Sequence, residues 1–314
     1  MRVQPATTLL PRGMALMAVL WLIAILSMAC MVALRVISFD LEIASAKIHG
    51  SRARQIAEMG IAVGCNPMVK RFDPLLTRVN PETNENFEVK ITSEGARFDI
   101  NYLILNKDDE LLRSIFISWG IELKDAQALT AALTDWVDPN DESLLNGAEK
   151  KDYEKAGRIN QPFNRPFYNI NEVSLVRGMD LVESLRPDWR NWFTVWSHSP
   201  LDINDAPAEL IALAADVSVD RAEDIPRKIR GIDGIKDTED DEPFDNLAAA
   251  LALIGISPDA PAMPVPRFSA SLQESTTRIE SIGNAEGAKR KITVIVKNRT
   301  GQPILLDRTE EIIP

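Results

Sequence analysis

Two cysteines and two histidines are all that 314 residues offer toward a zinc-type site. Cys30 lies inside an apolar run and Cys65 beyond it, too few for a disulfide framework, so cysteine usage leaves the compartment open. His49 and His198 stand too far apart to write a zinc motif. Cations are also scarce. Lys and Arg number 35 against 46 Asp and Glu, a net charge of −11. That balance argues against a general nucleic-acid binder, because phosphate binding draws on clustered Lys and Arg. There is no P-loop and no dinucleotide fingerprint. Ser197-His198-Ser199 is a lone histidine between serines with no identifiable orienting acid, the pattern of a surface loop rather than a triad. No catalytic arrangement stands out, and the expectation is a protein that is not an enzyme.

One absence is local. From Met14 to Leu34 the chain holds 21 residues without a charge, and only Ser27 is clearly polar. A helix of that length spans roughly the 30 Å of a bilayer core. A cleaved secretory signal would be shorter and would end on small residues, whereas this run ends Ala33-Leu34-Arg35. A lipoprotein signal through Leu26-Ser27-Met28-Ala29-Cys30 would place Ser27 where a bulky aliphatic is usual. A plain membrane anchor fits, and so does something longer. Past Leu34, apolar residues recur at Ile37, Leu41, Ala44, Ile48, Ile56, Met59 and Val63, mostly in steps of three and four, and no proline falls between Pro11 and Pro67. The spacing predicts one helix from Met14 to about Asn66, roughly 80 Å long. Its first half suits a membrane, and its amphipathic second half suits the cover of a soluble domain.

Beyond a Pro-containing connector, Phe87–Ser93 alternates apolar and polar residues, and Arg97–Leu105 alternates again after Glu94-Gly95-Ala96. The pattern predicts a β-hairpin packed on the helix. Strand signals then fade. Helical spacing marks 111–119, 125–137, 172–176, 206–215, 222–230 and 245–253. Strands return at 268–272, 276–282 and 290–298, the last two joined by a turn-rich loop at 283–287, and Ile304-Leu305-Leu306 adds a final edge. The fold class expected is α+β: a long N-terminal helix on one antiparallel sheet, with residues 107–263 as a large all-helical insertion between 67–106 and 264–314.

Within the helical block, Asp135, Asp138, Asn140, Asp141 and Glu142 crowd into eight residues around Pro139. Such a loop supplies hard oxygen ligands suited to Ca²⁺, although its spacing is not that of an EF-hand. A weak repeat relates Asn169–Gly178 to Asp202–Ile211, with Asn171 or Asn204 placed to cap a helix and Gly178 to end one. It resembles helix-hairpin-helix and SAM-like modules. The acidic neighbours favour a structural role over a nucleic-acid one. Trp189, Trp192, Phe193 and Trp196 suit packing between helices. Asp237–Glu242 reads as a solvated acidic loop.

A short basic leader ending in Gly13, followed by a long apolar helix that runs into a soluble domain, resembles the type IV pilin and pseudopilin class. The resemblance implies cleavage by prepilin peptidase between Gly13 and Met14 and N-methylation of Met14, with 1–13 as a cytoplasmic leader. Most members carry Glu at the fifth mature residue, where this chain has Ala18. A membrane-embedded carboxylate is costly unless paired, and a subunit with none above it needs no such Glu. Lack of that Glu characterises minor pseudopilin K of type II secretion. Ser93–Asn101, Asp135–Asn140, Gly147–Tyr153 and Tyr168–Met179 also resemble that family. The resemblance implies a pilin-like fold and a calcium site drawing on Asp135, Asp138, Asn140, Asp141, Glu142, Glu149 and Asp152. Asn140 and Lys150 stand where family members carry carboxylates. The family further implies an inner-membrane protein with a periplasmic C-terminal domain, placed at a pseudopilus tip. Its expected partners are minor pseudopilins I and J, other pseudopilins, prepilin peptidase, the secretin and secreted substrates. Ile37, Leu41, Ala44 and Ile48 would then pack against partner helices. Arg2 and Arg12 before the apolar run are outnumbered by Arg35, Lys47, Arg52 and Arg54 after it. The positive-inside rule alone therefore points the other way, and the orientation expected here rests on the leader and its junction. Other readings are a tip minor pilin of a type IV pilus, or a bitopic membrane protein with no filament role.

Overall fold

The computed structural model describes residues 12–257, 266–271 and 276–313. Most of the expected leader, residues 1–11, lies outside the described residues. A single helix, α1 (Arg12–Gly64), runs 53 residues without a break. No side chain of the described residues from Met14 to Ile48 is buried, so the described apolar side chains of the 14–34 run meet solvent within the chain. This part of α1 is long and apolar enough to cross a membrane.

Docking of α1 begins only near its C-terminal third. Ala53, Ile56, Ala57 and Ile61 are buried against a five-stranded antiparallel sheet. Its strands run β1 (Thr77–Val79), β2 (Asn86–Ser93), β7 (Thr276–Ala285), β8 (Ala288–Lys297), β9 (Ile304–Ile313) in spatial order. Between β2 and β7 in the chain come four two-residue strands: β3 (Phe98–Asp99), β4 (Phe193–Thr194), β5 (Leu201–Asp202) and β6 (Phe268–Ser269). The core under α1 is aliphatic with one aromatic: Phe87, Val89 and Ile91 from β2, Ile279 from β7, and Ile292, Val294 and Val296 from β8. Small residues set how closely helix and sheet approach. A Cβ on Gly283 would fall 2.2 Å from the Ala53 carbonyl oxygen and 2.4 Å from the Ala57 nitrogen, so only glycine lets β7 pass beneath the helix there.

The amphipathic stretch read from sequence is corrected in extent. Ile37, Leu41 and Ile48 are 55–65% exposed, Ala44 is exposed, and Met59 also faces solvent. Their periodicity marks a face of the helix that this chain does not cover. The expected hairpin 87–93/97–105 is also corrected. Residues Phe98 and Asp99 form β3, but Ile100–Leu105 is a helix, α2. The Asp99 carboxylate accepts from the Tyr102 N–H at 2.9 Å, a helix N-cap, and Ile100, Leu103 and Ile104 bury one helical face. Strand β2 pairs instead with β7, some 190 residues on, in register Ile91↔Ile279. The expected five-residue loop 283–287 shrinks to a two-residue turn, Glu286-Gly287, both at positive φ.

The insertion is helical: α3 (Asp109–Ser118), α4 (Leu123–Val137), α5 (Lys150–Lys155), α6 (Ile170–Val173), α7 (Met179–Leu185), α8 (Ala208–Ala215), α9 (Val219–Ala222), α10 (Asp224–Ile229) and α11 (Leu247–Leu253). Its core holds Trp136, Trp189, Phe116, Phe167 and Phe193, so the aromatic cluster is internal. The helix-ending role read for Gly178 is also corrected. Gly178, at φ 94°, starts α7 rather than ending the helix before it. Asn169, not Asn171, caps α6, and Asn204 binds the Phe244 backbone instead of capping α8.

Two parallel bridges, β3 with β4 and β5 with β6, tie the middle of the insertion to the segments before and after it. A buried ion cluster fixes it to the sheet. Glu94 is fully buried between Arg97 at 3.1 Å and Arg278 of β7 at 2.5 Å, and the Thr194 hydroxyl donates to its other oxygen. These cations outweigh burial and hold the carboxyl below the usual glutamate range.

Candidate metal centre

Helix α4 carries an alternation that its packing explains. Trp136 turns into the core between Tyr153, Phe163 and Phe167, with ring centroids 5.2–6.2 Å apart. The neighbouring Asp135 is fully buried, and Asp138 caps the helix end half-buried. After the exposed loop 139–146 the chain returns, and Glu149 begins α5 at 3% exposure. One carboxylate oxygen from each of Asp135, Asp138 and Glu149 lies within 4.8 Å of the others. The Arg177 guanidinium anchors the returning loop by donating to the Asn146 carbonyl at 2.6 Å and to the Gly147 carbonyl.

Three acids converge, and their hydrogen bonds are unequal. Asp135 accepts from the Leu144 N–H at 3.1 Å and from the Ser143 hydroxyl at 3.5 Å. Asp138 accepts from the Asn140 N–H at 3.2 Å. Glu149 is different: both its carboxylate oxygens are buried, with no side-chain donor and no cation beside them, only the backbone N–H groups at the start of α5. Burial first, and then the nearby Asp135, push its pKa up to about 7, with Asp138 and Asp141 adding to the effect. Burial likewise raises Asp135. Gly147 closes the cradle, because a Cβ there would fall 1.9 Å from Asp135 Oδ2. A buried carboxylate pair held together without a cation costs free energy that a hard cation would offset. The all-oxygen donor set and the buried Glu149 carboxylate with no cation beside it fit a calcium-type ion.

The other residues read from sequence are placed elsewhere in the loop. Asn140 Oδ1 accepts from the Glu142 N–H at 2.7 Å, Asp141 Oδ1 accepts from Asn164 Nδ2 at 3.1 Å, and Glu142 is exposed. Asp152 Oδ2 accepts from the Glu149 N–H at 3.2 Å, so it orients the Glu149 backbone rather than joining the cluster. The Glu94 cluster was not anticipated. Nothing local announces it, since Arg278 lies 184 residues away.

Residues 96–188 match the family model described as type II secretion system (T2SS), protein K. Over those residues, the chain is similar to the type II secretion system protein K family. Type II secretion system protein K of Klebsiella pneumoniae is 34% identical over 108 residues, 31% of this chain and 33% of the relative. The Dickeya chrysanthemi protein of the same name is 32% identical over 125 residues, 37% of this chain and 33% of the relative. The matched stretch thus spans about a third of the length of these curated relatives. The fold is similar to a chain of the GspK-GspI-GspJ complex of the enterotoxigenic Escherichia coli type 2 secretion system. The TM-score is 0.59 at 13% identity, covering 87% of this chain and 98% of that one. The likeness shows a pilin-like architecture. The matched protein K region runs from Ala96 into the loop after α7 and includes all three converging acids.

Proposed function

We propose that this chain is a minor pseudopilin of a type II secretion system, a non-enzymatic subunit at the pseudopilus tip that serves the export of folded proteins. The observation that carries the reading is α1 itself: one unbroken helix whose apolar first half is bare while its last third is the spine of a sheet carrying a protein K insertion. A bare apolar helix is stable in a bilayer or against other helices, and filament uptake exchanges one for the other. In this reading prepilin peptidase cuts between Gly13 and Met14, and Met14 becomes the methylated terminus. Ala18 needs no carboxylate because no subunit lies above. Residues 14–34 anchor the chain in the inner membrane with the insertion periplasmic. Ile37, Leu41, Ala44 and Ile48 form the seam for partner helices of I- and J-type pseudopilins. The solved complex that the fold resembles is one of GspK, GspI and GspJ, which supports that choice of partners. The insertion, wider than the helix it crowns, blocks further addition and faces the secretin or cargo.

Calcium belongs to the same proposal. Asp135, Asp138 and Glu149 would hold it, with Asp141 adding to the field, and the ion would supply the positive charge that pins the 139–148 loop between α4 and α5.

Intact-mass analysis of the chain from cells with prepilin peptidase tests the reading. The expected species begins at methylated Met14 and co-purifies with I- and J-type subunits. An unprocessed chain, or one cut elsewhere, overturns it.

A further inference from the structure

Strand β9 ends the five-stranded sheet. Strand β8 occupies one side of it, and no strand among the described residues occupies the other. An open edge is a template for another chain, and proteins blunt such edges with lysine, proline or bulges. Strand β9 contains neither lysine nor proline, and its one irregularity lies ahead of Asp307, so Asp307–Ile313 continues in regular register. Ile304, Leu305 and Ile312 are 57–71% exposed. The Arg308 N–H is not spent on β8. It donates to Asp307 Oδ1 at 2.9 Å, so the N–H groups of Glu310 and Ile312, two and four residues on, face the same open side.

The side chains of β9 separate by face. Toward α1, Arg308 pairs with Glu58 at 3.2 Å, and Glu310 pairs with Arg54 at 3.2 Å. On the other face Asp307, Thr309 and Glu311 line a crevice of about 190 Å³ beneath the insertion. The cations around that crevice already have acidic partners: Lys291 has Glu280, Arg278 has Glu94, and Arg190 has Glu183. Glu311 makes no ion pair among the described residues. Asp307 accepts from amides, Asn169 Nδ2 at 3.3 Å and the Arg308 N–H. Across the sheet Lys291 of β8 stands opposite Glu311, so this row steps from a base to an acid and stops on the acid at the edge. Cross-strand neighbours of opposite charge stabilise a sheet, and the next position in that row calls for a base.

We propose that β9 is a β-augmentation site, at which an extended segment of a partner protein adds as a sixth strand with Lys or Arg at alternate positions beside Asp307 and Glu311. Main-chain hydrogen bonds supply affinity and the acidic face supplies selectivity. A second copy of β9 is a poorer occupant, because it would set carboxylates against carboxylates. The site does not depend on the pseudopilin reading.

The test uses the full chain in non-ionic detergent and two fluorescein-labelled decapeptides, one alternating Lys and Val, the other Glu and Val. The expected result is binding of the Lys-Val peptide at least tenfold tighter, with slowed amide exchange at Glu310 and Ile312. Glu311→Lys reverses the preference and lowers the melting temperature only slightly, the cost of a like charge opposite Lys291. Ile312→Pro removes an outward donor but no ladder bond, and weakens both peptides tenfold. If Ile312→Pro fails to fold, the exposed Glu311→Lys still decides. Absence of binding, equal binding of the two peptides, protection away from β9, or a concentration-dependent dimer lost in Glu311→Lys overturns the proposal.

Discussion

Glu94 and Glu149 are glutamates of nearly equal burial, at 0% and 3% exposure, in opposite electrostatic states. At the seam between sheet and insertion, Glu94 meets two guanidiniums and a hydroxyl and is held below the usual carboxylate range. At the end of α4, Glu149 meets two more acids and no cation, and is pushed up to about 7. The first is a completed structural joint. The second is complete only when a proton or a cation is added. Burial by itself therefore says little about the role of an acid; the partners decide.

The largest effect is expected at the completed joint. Arg278→Ala leaves Glu94 buried beside one cation instead of two, and breaking such a pair costs about 3–5 kcal/mol. Chemical denaturation reads this, and the double variant Arg278→Ala/Glu94→Gln should recover most of it. No recovery would mean that the joint acts through packing rather than charge.

Asp202 sharpens the comparison, because its donors are only amides: the Asn204 N–H at 3.1 Å and the Ser271 N–H at 3.4 Å. Burial first, with Asp205 adding, raises it to about 6 from an ordinary 3.8. The folded state therefore binds this proton more tightly than the unfolded one. Its contribution is present below about pH 4 and is lost as pH rises to about 6, at most about 3 kcal/mol over the window. Asp202→Asn should melt higher than the parent above pH 6 and lose the advantage at pH 4. Equal pH profiles would show that Asp202 ionises normally.

The unfinished site is expected to respond to an ion. Calcium at a hundredfold its dissociation constant should stabilise the chain by about 2.7 kcal/mol, and chelator should remove that gain. In Glu149→Gln the calcium shift should vanish, while the chelated variant melts no lower than the chelated parent. A chelator-insensitive parent would place Glu149 with Glu94 as a purely structural acid. The smallest effect is that of Gly147→Ala. It presses a methyl group against Asp135 at a cost of about 1–3 kcal/mol and should abolish the calcium shift. Retention of the shift would show that the loop yields.

Much of the fold was legible because its signals are local. The uncharged run 14–34, the unbroken periodicity and the lack of proline write α1, which runs Arg12–Gly64. Alternation in 87–93 and 290–298 writes β2 and β8. Residues 97–105 misled because Phe98, Ile100, Tyr102 and Ile104 alternate as a strand would. The Asp99 cap and the burial of Ile100, Leu103 and Ile104 settle them as a helix. In the candidate site, Asp135, Asp138 and Glu149 were named from the sequence together with Asn140, Asp141, Glu142 and Asp152. Which three converge depends on where the loop returns, through Gly147 and Arg177, and spacing does not encode that path.

The sequence by itself determined that one end of this chain is an uncharged helix, that the helix continues into a strand–helix–strand domain, and that an acid-rich loop ends a helix of the inserted block. Each is a short-range pattern with a short-range physical cause, the period of the backbone or the cost of charge in an apolar run. Only the tertiary structure decided which part of α1 is covered and which is left bare. It also decided that β2 pairs with β7 across the whole insertion, that Glu94 is neutralised while Glu149 is not, and that β9 ends the sheet with its outer edge open. These outcomes depend on groups far apart in sequence, from the 14 residues between Asp135 and Glu149 to the 184 between Glu94 and Arg278 and the 198 between the β2–β7 partners Asn86 and Asn284. At such separations, packing, charge and hydrogen bonding choose the partners.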